Sequence, residues 1–184
     1  MSFNNDASRV GFIGDYSSID EVIAADRKEL EEIGGSFEAI ADRMDELIEF
    51  AERMNFPYDE WSKVIDPVID KFNVKYGGNW HRKNIQATEE YGKEWSRLRA
   101  EFPQTRFDEK VSVVNIIGTR GFQLCPFEGC DTAWSEDVAI YNRETCRELK
   151  ICLGTSHLAR EHHLIEKGNE YGISAKEFYE HFMP

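Results

Sequence analysis

Four residues lie between Cys125 and Cys130, and four lie between His157 and His162. Thiolate and imidazole are the ligands Zn²⁺ favours, and four of them close a tetrahedral structural site. An ion held this way would tie together the two ends of the segment between them. That restricts the C-terminal part of the chain to folds in which a cysteine-bearing turn faces a histidine-bearing helix. His163 stands beside His162 and is a substitute for it as the fourth ligand. The competing reading makes the cysteines small buried hydrophobes, a common fate for that residue, and the histidines surface positions on a helix.

Where a chain like this resides bears on the cysteines. No apolar run approaches the roughly 18 residues of a membrane span. The first dozen residues lack a basic stretch followed by an apolar one, so no secretory signal is expected. The expectation is a cytoplasmic protein, in which clustered cysteines serve as metal ligands or thiols rather than disulfides. Cys146 and Cys152 are spare by this count and read as packing residues of a hairpin.

Charge is unevenly spread over the 184 residues. The net charge is −13, and residues 15–60 alone carry fifteen Asp/Glu against four Lys/Arg. Residues 61–110 reverse the balance slightly, with ten basic side chains against eight acidic. Such a chain repels phosphate backbones unless a local patch overrides the field. The most basic patch is Trp80-His81-Arg82-Lys83, which Arg97, Arg99 and Arg106 would extend; a solvated helix start is its plainer reading.

Hydrophobic spacing divides the chain into a helical part and a mixed part. Ser18 opens a helix to residue 33 with Glu21 as its capping-box partner, and Gly34-Gly35 ends it. Ser36 caps a second, whose stripe of Phe37, Ile40, Ala41, Met44, Leu47, Ile48 and Ala51 has the three-four spacing of a buried face. Its outer face is almost all Asp and Glu. A third helix is expected from Asp59 to about Phe72, kinked or split at Pro67. A fourth is expected from Trp80 to Leu98, with Ile85, Tyr91, Trp95 and Leu98 inward. Val10-Gly-Phe-Ile-Gly14 reads as a turn rather than a phosphate loop. Residues 110–117 are β-branched and read as a strand, with a turn at Gly118–Gly121. A hairpin is expected around Asn142–Thr145, a helix from Ser156 to about Glu166, and a last helix capped by Ser174 and Glu177 that buries Phe178 and Phe182. The expectation is an α+β protein, with an all-helical acidic region over 1–103 and a zinc-stabilised β/α region over 104–184.

Phe122, Cys125, Cys130, Trp134, Leu153, His157 and His162 follow the order of aromatic, cysteine pair, aromatic, leucine and histidine pair. In this the segment resembles a C2H2 zinc finger. The departure is in length: twenty-six residues separate Cys130 from His157, where about twelve are usual. The resemblance therefore implies a finger-like site inside a larger sheet. A fainter likeness covers Arg120-Gly-Phe-Gln-Leu-Cys125-Pro, Tyr141-Asn-Arg-Glu-Thr145 and His157-Leu-Ala-Arg-Glu-His162. It is similar to a group of small uncharacterised prokaryotic proteins with the pattern Arg-Gly-x-Gln-x-Cys-Pro and His-Leu-x-x-x-His; Cys146 stands where that group has glycine.

Three functions compete. The first is a zinc-binding interaction or regulatory protein whose acidic helical face meets a protein partner, or mimics nucleic acid. The second is a nucleic-acid reader using the finger-like helix, disfavoured because residues 153–168 offer only Arg160 and Lys167 as cations. The third is a small metalloenzyme, with Glu161 as base at an open zinc position. Four good ligands argue for a closed site instead, and His-Glu-x-x-His is absent from this segment.

Overall fold

The computed structural model describes residues 18–78, 80–167 and 171–184; the Val10–Gly14 turn lies outside them. Helices α1 (Ile19–Ile33), α2 (Phe37–Arg53), α3 (Tyr58–Tyr76), α4 (Trp80–Lys83) and α5 (Ile85–Ala100) come first. A 3₁₀ turn leads into strands β1 (Val111–Leu124), β2 (Ala133–Asn142) and β3 (Arg147–Cys152), then α6 (Leu153–His162) and α7 (Ala175–Phe182). The strands form one antiparallel meander in the order β1-β2-β3. Helices followed by an antiparallel sheet and further helices is the α+β architecture that the spacing predicts. No helix among the described residues is long and apolar enough to cross a membrane.

The caps explain where the helices start. Ser18 accepts the Glu21 N–H and Ser36 accepts the Ala39 N–H at 3.0 Å. Ser174 and Glu177 form a full capping box. Gly34, with φ +70°, ends α1 in a conformation that suits glycine. All seven residues of the α2 stripe are buried. Six of them, all but Ala41, meet Val111, Val113, Val138, Ile140, Leu149 and Ile151 on one face of the sheet, with Phe178 and Phe182 of α7 closing the layer. That core draws on residues from both sides of position 103. Ala100 of α5 packs with Val114, Ala139 and Tyr141, the sheet positions of opposite parity. A register shift between Val113 and Asn115 accompanies the change of face along β1.

Long-range polar contacts tie α1 and α2 to the segments around α7. The Ser36 N–H donates to the Tyr179 hydroxyl at 2.9 Å, and Arg43 Nε donates to the Phe182 carbonyl at 2.9 Å. Arg43 also pairs with Asp108. Asp26, only 1% exposed, receives Lys167 at 2.5 Å and the Ala175 N–H at 3.4 Å. Burial raises the Asp26 carboxyl above its ordinary range even with Lys167 beside it.

Several expected boundaries differ. α3 runs unbroken through Pro67. The ring removes one backbone donor, leaving the Lys63 carbonyl without its helical partner, at a residue that is exposed to solvent. Pro67→Ala is therefore expected to stabilise the protein by about 2 kcal/mol, after allowing for a looser unfolded chain; the midpoint of urea unfolding measures it. The fourth helix is interrupted at Asn84, whose Oδ1 accepts the Ala87 N–H and starts α5 afresh. The rotation leaves Ile85 80% exposed and turns Ala87, Ser96 and Ala100 inward. The turn expected at Gly118–Gly121 is instead part of β1, absorbed as a register shift between Gly118 and Gln123. α6 begins at Leu153, not Ser156, because Cys152 and Thr155 supply its cap. Ser156 sits in the first turn with its hydroxyl donating to the Leu153 carbonyl.

Candidate metal centre

The turn from β1 to β2 carries the two cysteines. Cys125 N–H donates to the Thr132 carbonyl at 2.8 Å, and Cys130 N–H to the Phe127 carbonyl at 3.2 Å. These bonds fold Cys125–Cys130 into a tight knuckle. Gly129 supplies the φ of +81° that the bend needs. The two histidines come from α6, which follows β3 without a loop.

Cys130 Sγ lies 3.2 Å from His157 Nε2, and Cys125 Sγ lies 3.3 Å from His162 Nε2. The four donor atoms all fall within 4.8 Å of one another. Metal–sulfur bonds of about 2.3 Å and metal–nitrogen bonds of about 2.0 Å give tetrahedral edges of roughly 3.3–3.8 Å. The two sulfur–nitrogen distances, 3.2 and 3.3 Å, lie at the short end of that range. A Cys2His2 group that can hold a metal ion thus sits between the sheet and a helix.

Residues five apart on an ideal helix diverge by about 140°. The divergence is met here by the reach of the rings rather than by fraying. Both imidazoles use Nε2, their far atom, and the rings meet edge to face at 5.1 Å. His162 is the last helical residue. His163 turns left-handed at φ +53°, and Leu164 N–H closes the end on the Leu158 carbonyl. The His163 ring then stacks on Phe37 of α2 at 5.2 Å, away from the cluster.

Packing fixes both imidazoles. Phe127 lies flat on His162, with centroids 3.9 Å apart and planes 5° apart. Trp134 flanks His157, and its indole N–H donates to Gln123 Oε1 at 3.0 Å. Ile19, Val22, Leu158 and Leu164 complete the apolar shell. Burial lowers the proton affinity of both imidazoles, and for His162 the neighbouring His157 adds to it. The neutral ring is the form that offers a lone pair to a metal. Burial pushes the Cys125 thiol up to about 11, whereas a hydrogen bond with the Thr132 hydroxyl lowers Cys130.

The other candidates lie elsewhere. Cys152 is buried as the α6 cap, with its thiol pushed up to about 12 by burial, and Cys146 is exposed in the hairpin turn at φ +56°. Glu161 is exposed and outside the four-donor group. Three members of the basic patch are engaged elsewhere. Trp80 is buried against Phe72 and Tyr91, Arg97 makes a forked pair with Glu94, and Arg99 stacks on aromatic rings. Sequence reasoning left Phe127 and Gly154 without roles. Phe127 sits inside the quoted knuckle, and Gly154 lies where an added Cβ would come within 2.0 Å of the Trp134 ring. No family model, curated protein or solved structure matches this chain. The likeness to a finger therefore rests on the four donors and their setting.

Proposed function

We propose that Cys125, Cys130, His157 and His162 hold a structural Zn²⁺ and that the protein is an interaction or regulatory protein rather than a catalyst. The convergence of two thiols and two imidazoles carries the reading. All four corners of a tetrahedron are then protein ligands, which is the closed form of a structural site. The purified protein should carry one zinc per chain. Cys125→Ser and His157→Ala should each carry far less, and equal zinc content in all three proteins would remove the ligand assignment.

An apolar groove beside the centre supports the interaction role. It has a volume of about 430 Å³ and a floor that includes Ile48, Ile116, Trp134 and Leu153, with Glu52 and Glu136 on its rim. Ile116 is 40% exposed and Leu153 52%. The groove suits a protein segment with one large apolar side chain flanked by Lys or Arg, whose charges meet the acidic rim. Glu38 and Glu52 extend that field along exposed positions of α2, while Glu46 lies 3.7 Å from Arg43, Glu49 lies 3.3 Å from Arg53, and Asp42 and Asp45 are bound by Arg160 at 2.7 and 2.8 Å. A nucleic-acid reading has less support. Arg160 and Lys167, the cations of residues 153–168, are both taken by carboxylates. Short peptides combining Leu or Phe with flanking Lys/Arg should bind, weaken as salt rises, and lose affinity for Leu153→Asp. Salt-insensitive binding, or binding that the substitution leaves unchanged, would overturn the groove assignment.

A further inference from the structure

Arg99, on α5, is held in an unusual position. Its guanidinium lies 3.8 Å over the Phe56 ring and 4.8 Å from the Trp95 ring. Among the described residues the guanidinium has no ion pair and no hydrogen bond, and its Nε is buried without a partner. Burial alone lowers its proton affinity, to about 10. A desolvated cation without an anion is costly, and stacking on rings returns only part of that cost. The other arginines tied into this fold have oxygen partners: Arg43 with Asp108, Arg97 with Glu94, and Arg160 with Asp42 and Asp45.

The unpaired guanidinium faces a cavity. Phe56, Trp61, Tyr91, Trp95 and Arg99 line a space of about 310 Å³ between α3 and α5, with Tyr58 exposed at its edge. That size lies at the small end of the range for ligand sites. The walls are flat rings held against one another: Trp61 meets Trp95 edge to face at 5.6 Å, and Phe56 at 5.8 Å. The Tyr91 hydroxyl also has no hydrogen-bond partner among the described residues. One planar cation with ring walls matches a planar monoanion joined to a ring. A carboxylate fits the guanidinium fork with two parallel hydrogen bonds. A doubly charged phosphate ester fits less well, because Asp66 also lines the cavity and the chain carries a net charge of −13.

We propose that the cavity between α3 and α5 is a binding site for a small aromatic carboxylate, with Arg99 as its anchor and Phe56, Trp61 and Trp95 as its stacking walls. It lies on elements other than those of the metal centre, so neither assignment depends on the other.

The test uses the full-length protein and three probes of matched size: phenylacetate, phenyl phosphate and neutral benzyl alcohol. Binding is followed by heteronuclear NMR on the indole N–H signals of Trp61 and Trp95. Phenylacetate should shift both signals saturably and bind at least tenfold more tightly than benzyl alcohol. Arg99→Met keeps the apolar stem and should weaken phenylacetate about tenfold to a hundredfold, with benzyl alcohol unchanged. Arg99→Lys should retain part of the affinity, which controls for a folding defect in the methionine variant. Tighter binding of phenyl phosphate than of phenylacetate would overturn the carboxylate assignment. Equal binding of phenylacetate and benzyl alcohol, or no saturable shift with phenylacetate, would overturn the site.

Discussion

Removing zinc is expected to lower the melting temperature by well over 10 °C, and Cys130→Ser should melt at the same lowered temperature as the chelated wild type. Structural zinc contributes about 10–16 kcal/mol in finger peptides, as much as the whole stability of a typical domain. This chain also has an apolar core, so the metal-free form should retain helices while losing the order around Trp134 and Phe127. Adding zinc back should restore the wild type and leave Cys130→Ser unrestored. Differential scanning calorimetry with and without chelator measures both effects. A chelator that removes bound metal without moving the transition would show that the four donors do not stabilise the fold.

The second large effect is expected at Gly154. A Cβ there would lie 2.0–2.3 Å from three atoms of the Trp134 indole. The indole has little room to yield, being 4% exposed and hydrogen-bonded to Gln123. Overpacking against such a ring costs about 3 kcal/mol. Gly154→Ala should therefore unfold at a lower denaturant concentration and bind zinc more weakly, because Trp134 also backs His157. Trp134→Leu makes room, so the double variant should be more stable than the sum of the two single effects. Strict additivity would show that the contact is not the cause.

The parts of this fold legible in sequence are those governed by local chemistry. Ser36 and the α2 stripe were readable because a capping side chain and a three-four period act within one helix. The capping box at Ser174 and Glu177 is of the same kind. What was hidden depends on distant partners. Ile85 has the side chain of an inward residue, but Asn84 restarts the helix and turns it to solvent. Gly118 and Gly121 look like a turn, whereas pairing of Gly118 with Glu136 and of Gln123 with Trp134 keeps the irregular stretch between them within the strand. Cys152 replaces Ser156 as the cap because β3 runs straight into α6. At the metal centre the donor types and their order were visible. The choice between His162 and His163 was not, since the stack of His163 on Phe37 joins residues 126 positions apart in sequence. Arg99 seemed one more basic surface residue, and its aromatic setting is assembled from three separate segments.

The bonds that join Ser36 to Tyr179 and Arg43 to Phe182 also govern how the protein is made. A ribosome releases the chain in order, so the first helices emerge long before the residues that complete them. Until Tyr179 clears the exit tunnel, Gly35 has no tyrosine ring to rest on. The α2 stripe also lacks the two phenylalanines that cover it. A stop ahead of Phe178 would therefore damage α1 and α2, leaving a greasy, unfinished helix pair as a target for chaperones and proteases.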